Sequence, residues 1–465
     1  MGMSQVFPTR LSAILTEIEQ LHPHGNLQLN DSIVNSIYNS AESIAQQVVN
    51  QNEQPRTDWD KRIDDILTSR VFGFPSMLLL LGMIFWMTVA GANVPSAMLA
   101  DTLFWGQDRL TELCNVLHAP AWFHGLFIEG VYSTLAWVIS VMLPPMAIFF
   151  PCFTLLEDLG YLPRVAFNLD RLFKKAGAHG KQSLTMSMGF GCNAAGVIAC
   201  RIIESPRERM IAMLTNVFVP CNGRFPTLIA LSGILVFGMG GTLGATAIVV
   251  GIVLLGITVT LAVSWSLSKT LLRGIPSSFT LELPPYRKPQ IGNIIVRSIF
   301  DRTLFVLKRA IIVAAPAGVI IWLMANIYVG EISILAYCAN WLNPFAQLMG
   351  LDGFILMAFI LGLPANEIVL PILIMSYLAV GSMTELESIR DLYNLFVVQH
   401  GWTWLTAVSM MLFTLLHYPC GTTLLTIQKE SGSIKWTILA ALIPLAIGCA
   451  VCILVAQTAR IMGWV

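Results

Sequence analysis

The 465-residue sequence predicts an all-α, polytopic membrane protein with about eight transmembrane helices and two gate-type repeats built on broken or re-entrant helices. Three observations lead there. Charged residues are 12% of the chain, against about 25% in an ordinary soluble domain. Apolar runs of the length that crosses a hydrocarbon core of about 30 Å recur along it, and the mean hydropathy is +0.71. Interruptions rich in Gly and Pro fall in the same order in both halves, which is the pattern that marks a midplane site in transporters.

The first seventy or so residues are polar. Leu11, Ile14, Leu15, Ile18 and Leu21 repeat at helical spacing, and the pattern resumes from Ile33 to Val49 after the turn at His22-Pro23-His24-Gly25. Residues 1–57 therefore read as a cytoplasmic helical segment, and 58–465 as a transmembrane transport domain. No secretory signal opens the chain, so its start is expected in the cytoplasm. Eight spans are expected near 74–94, 126–150, 208–236, 243–267, 305–327, 354–380, 404–424 and 437–457. Stretches near 186–200 and 334–349 are shorter and read as re-entrant or interfacial. Lys and Arg cluster before the first span (Arg56, Lys61, Arg62, Arg70), after the second (Arg164, Arg171, Lys174, Lys175, Lys181) and between the fourth and fifth (among them Arg287, Lys288, Arg297). Alternating spans put these clusters on one side, the cytoplasm, and leave both termini there. The acidic loop with Glu385, Glu387 and Asp391 would join them.

Gly189-Phe190-Gly191-Cys192-Asn193 can be laid over Gly362-Leu363-Pro364-Ala365-Asn366. Downstream, Val219-Pro220-Cys221-Asn222-Gly223 parallels Tyr418-Pro419-Cys420-Gly421-Thr422. Such breaks free backbone groups, which survive at membrane depth only beside protein or a watery cavity. Ordinary helix kinks are the alternative for any one break; matched order in two halves favours a site. Cys192, Cys221 and Cys420 each sit at a break, beside Asn193, Asn222 or Gly421. Glu367 follows Asn366 in an apolar run, where a carboxylate marks a pathway or a structural pair. Sulfur with carboxylate and amide oxygen suits a borderline divalent metal. Apolar packing is the alternative for each cysteine.

The composition excludes several classes. A formal net charge of zero gives no footing for nucleic acid. The nine cysteines show no secreted-scaffold spacing, so no disulfide framework is expected. No His-Glu-x-x-His occurs, which disfavours metalloprotease chemistry. No G-x-x-x-x-G-K-[ST] loop occurs either, so nothing in the chain should cradle a nucleotide phosphate, and no enzyme activity or resident cofactor is expected.

From Leu156-Glu157-Asp158-Leu159-Gly160-Tyr161-Leu162-Pro163-Arg164 through Asp170-Arg171-Leu172, Ala178-His179-Gly180-Lys181 and Gly189-Phe190-Gly191-Cys192-Asn193, the sequence resembles the first gate of the ferrous iron transporter B family, here about 126–236. Arg201, Glu204 and Arg209 follow at that family's spacing. Cys221-Asn222-Gly223-Arg224-Phe225-Pro226 resembles its Cys-x-Ala-Arg-Leu-Pro element, and Glu282-Leu283-Pro284-Pro285-Tyr286-Arg287-Lys288-Pro289 the loop between its gates. Pro419-Cys420-Gly421-Thr422-Thr423 with Glu430 resembles the second gate, about 305–424. Residues 1–57 resemble the end of that family's cytoplasmic helical domain. Ala195 stands where the family carries Pro, and Asn366 where it carries Lys, which takes a cation from beside Glu367.

The resemblance implies uptake of Fe²⁺ through a pore in a bacterial inner membrane. Cys192, Cys221, Cys420, Asn193, Asn366 and Glu367 would line it; Glu157 and Asp158 would gather or release the ion, or else pair with Arg164 or Arg171. That family ordinarily carries an N-terminal GTP-binding domain, which for this chain is a separate polypeptide, has been removed or is lost; a separate GTPase, a small accessory protein and homo-oligomer formation are therefore left open as partners. The alternatives are another divalent metal such as Mn²⁺ or Zn²⁺, a nucleoside-like solute, and a non-transporting scaffold that works with a separate GTPase.

Overall fold

The computed structural model describes residues 27–48, 59–69, 72–237, 241–273, 290–292, 296, 298–384, 386 and 388–464. Arg56, Arg70, Arg287, Lys288, Arg297, Glu385, Glu387, the loop 282–289 and residues 1–26 lie outside them. In chain order the helices are α1 (Leu27–Val48), α2 (Trp59–Leu67), α3 (Gly73–Val116), α4 (Ala121–Asp158), α5 (Tyr161–Lys175), α6 (Gln182–Gly191) and α7 (Asn193–Ala199). There follow α8 (Pro206–Thr215), α9 (Phe225–Leu235), α10 (Gly241–Lys269), α11 (Leu304–Asn326) and α12 (Ile334–Leu348). The rest are α13 (Gly353–Leu361), α14 (Val369–Leu378), α15 (Ile389–Tyr393), α16 (Trp404–Leu416), α17 (Gly421–Ser431) and α18 (Ile434–Ile461). A two-residue hairpin, β1 (Tyr328–Val329) with β2 (Ile332–Ser333), is the one sheet among the described residues.

Six of these elements are long and apolar enough to cross a membrane, and a seventh is counted if α12 and α13, bent by 111°, form one span. The six coincide with six of the eight apolar runs. The other two runs, 208–236 and 354–380, are each divided into short helices by an interruption: residues 216–224 between α8 and α9, and 362–368 between α13 and α14. Hydropathy averages across such a break. The chain is thus a polytopic membrane protein whose departures from a plain bundle are concentrated in the two repeats.

Contacts at the helix ends show how the repeats run. On one face, Arg164 Nε donates to Asp64 at 2.9 Å, Lys181 pairs with Glu204 at 3.2 Å, and Arg201 pairs with Glu430 at 2.7 Å. This face carries the basic residues of α5 and of the loop after it. On the opposite face, Asn326 Nδ2 donates to the Gly381 carbonyl at 2.8 Å, Phe237 stacks on Tyr393 at 4.6 Å, and Gln457 Nε2 donates to the Leu348 carbonyl at 3.1 Å.

Two re-entrant hairpins follow from these contacts. α6 and α7 start and end on the basic face, where Lys181 meets Glu204. α13 and α14 start and end on the opposite face, where Asp352 accepts the Tyr377 hydroxyl. Each hairpin is followed by a broken helix that crosses: α8–α9 leaves the basic face, and α16–α17 returns to it at Glu430. The second repeat is therefore inverted relative to the first. Because 354–380 is a hairpin and not a span, residues 379–384 and 388–403 and the end of α18 fall on the face opposite the basic one. This departs from the expectation of both termini on the basic side.

The broken crossing helix lies at the centre. Of its most apolar window 72% is buried, against 22% for α18, which stands at the rim. Around this centre, α4 packs on α3 and α11. Gly130 and Gly318 let α4 and α11 touch, since a Cβ on Gly130 would stand 3.1 Å from the Gly318 carbonyl and 2.9 Å from Trp322. Small residues at such crossings are how membrane helices gain close packing.

Candidate functional site

All four breaks open on one pocket. At the tip of the first hairpin, Cys192 is a single extended residue (φ −152°, ψ 124°) between two helices. At the tip of the second, Ala365 has nearly the same backbone (φ −152°, ψ 123°). The correspondence read from the sequence is thus also a correspondence of conformation. Cys221 (φ −84°, ψ 168°) and Cys420 (φ −60°, ψ 157°) are likewise extended residues, each just ahead of the helical turns that follow its break. Cys192, Asn193, Cys221, Asn366, Glu367 and Cys420 all line the pocket.

Short hydrogen bonds hold the breaks in place. Gly421 N donates to the Leu363 carbonyl at 2.7 Å, joining the second hairpin to the second crossing helix. Asn216 Nδ2 donates to the Asn193 carbonyl at 3.1 Å, joining the first pair in the same way. With its amide turned to suit its neighbours, Asn193 Nδ2 donates to the carbonyls of Gly189 (3.1 Å) and Val219 (3.2 Å). Asn366 Nδ2 reaches Cys221 Sγ at 4.0 Å, while its Oδ1 is buried without a hydrogen-bond partner among the described residues. An unpaired amide oxygen in a buried wall is costly unless something else takes its lone pairs. Cys420 Sγ lies 3.2 Å from Thr423 Oγ1. Glu367 backs onto Gly223 so closely that a Cβ there would collide with its carboxylate, and it has no ion-pair partner among the described residues.

Beneath the pocket lies Arg224, fully buried at 0% exposure. Its Nη1 donates to the carbonyls of Val217 (2.9 Å) and Leu415 (2.8 Å), and its Nη2 to those of His417 (3.2 Å) and Tyr418 (3.3 Å). The ends of α8 and α16 leave carbonyls without helical partners, and one guanidinium fork satisfies carbonyls of both breaks. Arg224 appeared in the sequence only as part of a motif. Its role needs two breaks 191 residues apart to meet, which no local pattern reveals. Met142 and Met146 of α4, which also line the pocket, went unread for the same reason.

Glu157 and Asp158 end α4 on the basic face, exposed, and are not among the pocket-lining residues. Arg164 binds Asp64. His179 is buried, and its Nδ1 accepts from Lys181 N at 3.0 Å; burial holds its imidazole below the ordinary value of 6.5. All nine cysteines are free. Cys449 and Cys452 carry a Cys-x-x-Cys spacing on one face of α18, where Cys452 Sγ donates to the Ser409 carbonyl at 3.5 Å, so that pair packs away from the pocket. Among the described residues, no group of three or more His, Cys, Asp or Glu side chains stands close enough to hold a metal ion. The pocket is lined with donors without being a closed ligand shell.

Fold and pocket together define a gate-type polytopic membrane protein, with two inverted repeats meeting at a donor-lined cavity. Two family models match: Gate, described as nucleoside recognition, over residues 139–235 and 307–434, and the ferrous iron transport protein B C terminus over 249–301. Neither is a GTP-binding domain. The chain is 31% identical over 408 residues to an Fe(2+) transporter FeoB of Staphylococcus aureus (strain MSSA476), covering 87% of this chain and 60% of that protein. It is 27% identical over 444 residues to one from Methanocaldococcus jannaschii, covering 92% of this chain and 62% of that protein. A Porphyromonas gingivalis protein named as an Fe(2+) transport protein A/FeoB fusion is 27% identical, covering 83% of this chain and 50% of that one. These matches assign the chain to the ferrous iron transporter B family. It spans about three fifths of the length of the first two relatives. No solved structure gives a significant match.

Proposed function

We propose that this chain is the ion-conducting membrane part of a ferrous iron uptake system in a bacterial inner membrane. Fe²⁺ is the substrate, and its path runs past Cys192, Cys221, Cys420, Asn193, Asn366 and Glu367. The observation that carries this reading is the meeting of four helix breaks at one pocket whose lining includes three thiols, a carboxylate without a cation partner and an amide oxygen without a donor. Fe²⁺ binds such donors with moderate strength, and conduction needs sites weak enough to release the ion. A loosely assembled donor set fits transit better than storage.

The names of the relatives support iron as the cargo. The description of the Gate model raises a nucleoside-like solute instead. The described lining carries no aromatic ring on which a base could stack, and this favours the metal. On the basic face, taken as cytoplasmic by the positive-inside rule, Glu157 and Asp158 receive the ion as it leaves. A separate GTPase and a small accessory protein are the partners this reading calls for, the latter in keeping with the fused relative.

The test is anaerobic Fe²⁺ entry into proteoliposomes, with wild type beside Cys192→Ser, Cys221→Ser and Cys420→Ser. Entry in wild type that falls about tenfold or more in each variant is the expected result. Absence of entry in wild type, even with a candidate GTPase added, would move the scaffold and organic-solute readings ahead.

A further inference from the structure

The pocket wall facing the gate breaks belongs to α4, which presents Met142 and Met146 one helical turn apart. They flank Pro144 and Pro145. Proline has no N–H, so the carbonyls four residues earlier, on Ser140 and Val141, lose their usual helical donors. This part of α4 stays helical through both prolines, and it faces the four breaks across the pocket. Met146 also lines a small neighbouring cavity together with Thr88, Phe149 and Phe190. Gly191 and Asn222 are common to both cavities, so Met146 stands at their junction. In the second cavity Thr88 Oγ1 is buried without a hydrogen-bond partner among the described residues.

We propose that Met142 and Met146 are specificity-determining contacts for the transported cation, two thioether donors that favour a borderline or soft divalent metal over a hard one. The inference rests on the metal-transport reading above. With Cys192, Cys221 and Cys420 they make five sulfur-bearing side chains around one pocket. Hard cations such as Mg²⁺ and Mn²⁺ gain little from sulfur and prefer oxygen, whereas a thioether is polarizable and suits softer metals. Its neutrality matters as well. Another carboxylate would hold every divalent cation more tightly by charge alone, but a neutral sulfur discriminates among them without trapping the one selected. Met146 also packs with Phe149, Phe150 and Phe153. If packing were its whole role, leucine of nearly the same volume would replace it with little effect.

The test uses the Met142→Leu/Met146→Leu double variant of the full chain, with Cd²⁺ and Mn²⁺ as soft and hard probes in anaerobic calorimetric titration. Cd²⁺ affinity is expected to fall about tenfold while Mn²⁺ affinity stays within about twofold. In proteoliposomes the preference for Fe²⁺ over Mn²⁺ falls with it. Equal losses for both probes, or no change in either, overturn the inference. Wild type that transports Fe²⁺ while its preference survives the double variant sinks this inference alone. Wild type that binds neither probe and moves no Fe²⁺ sinks the metal-transport reading too. Met142 is only partly buried, so Met142→Leu alone carries the same test, with a smaller shift, should the double variant fold poorly.

Discussion

The first and second repeats share a backbone plan and differ in chemistry. Both are a re-entrant hairpin followed by a broken crossing helix, with hairpin tips at Cys192 and Ala365 in almost the same conformation. The first tip reads Cys192-Asn193-Ala194, and the second reads Ala365-Asn366-Glu367. One hairpin thus brings a thiol and the other a carboxylate to the same pocket, while the crossing helices contribute the matched pair Cys221 and Cys420. An inverted repeat supplies the frame; substitution at equivalent positions makes the two sides of the pocket unlike.

The hairpin roots differ too. The second is closed by an inward hydrogen-bonded cluster. Asp352 caps α13 through Ile355 N at 2.8 Å and accepts the Tyr377 hydroxyl, which takes a further bond from Trp402 Nε1 at 2.9 Å. The first root is tied by two ion pairs, Lys181–Glu204 and the two-pronged Arg201–Glu430, each with one partner in water (Glu204 79%, Arg201 64% exposed) and the other largely buried. Pairs open to water on one side are screened and contribute modestly, about 1 kcal/mol. The comparison implies that the basic-face hairpin is the easier of the two to move.

The largest effect is expected where the two repeats are joined. Arg224→Ala leaves four carbonyls without their shared donor, and each buried unpaired carbonyl costs about 1–3 kcal/mol. Thermal unfolding in detergent should shift down by many degrees, with loss of Fe²⁺ entry. A variant as stable as wild type would show that the repeats are held together by something else.

Next comes the second root. Asp352→Ala removes a helix cap and an acceptor for Tyr377, together about 1–3 kcal/mol. Glu430→Gln at the first root should cost under about 1 kcal/mol. Melting curves of the two variants side by side test the asymmetry, and equal shifts would remove it.

The tips can be compared by exchange. Cys192→Ala should lower Fe²⁺ entry about tenfold. Adding Ala365→Cys should return part of it, because the second tip offers a sulfur the same backbone geometry. If the double variant transports no better than the single one, equivalence of backbone does not extend to equivalence of site.

Much of the site was legible in the sequence. Breaks in a membrane helix need Gly or Pro, so GFGCN, GLPAN and the two Pro-Cys steps stood out from their apolar surroundings. The three thiols, Asn193, Asn366 and Glu367 were found through them, and the structure brings these residues to one pocket. Glu157 and Asp158 were read from nearness to a span end, and that locates a face without locating a cavity.

The sequence by itself determined a helical membrane protein, six of the eight spans it led one to expect, the positions of the breaks and the residues at them. These are local quantities, set by hydropathy over some twenty residues and by the backbone limits of glycine and proline. Only the tertiary structure decided that 354–380 turns back on itself, that the repeats are inverted, and that Arg224 bridges breaks far apart in the chain. Hydropathy measures whether a segment enters the membrane and is blind to which side it leaves by. That outcome depends on contacts between segments, such as Asp352 with Tyr377 and Arg201 with Glu430, which exist only once the chain has folded.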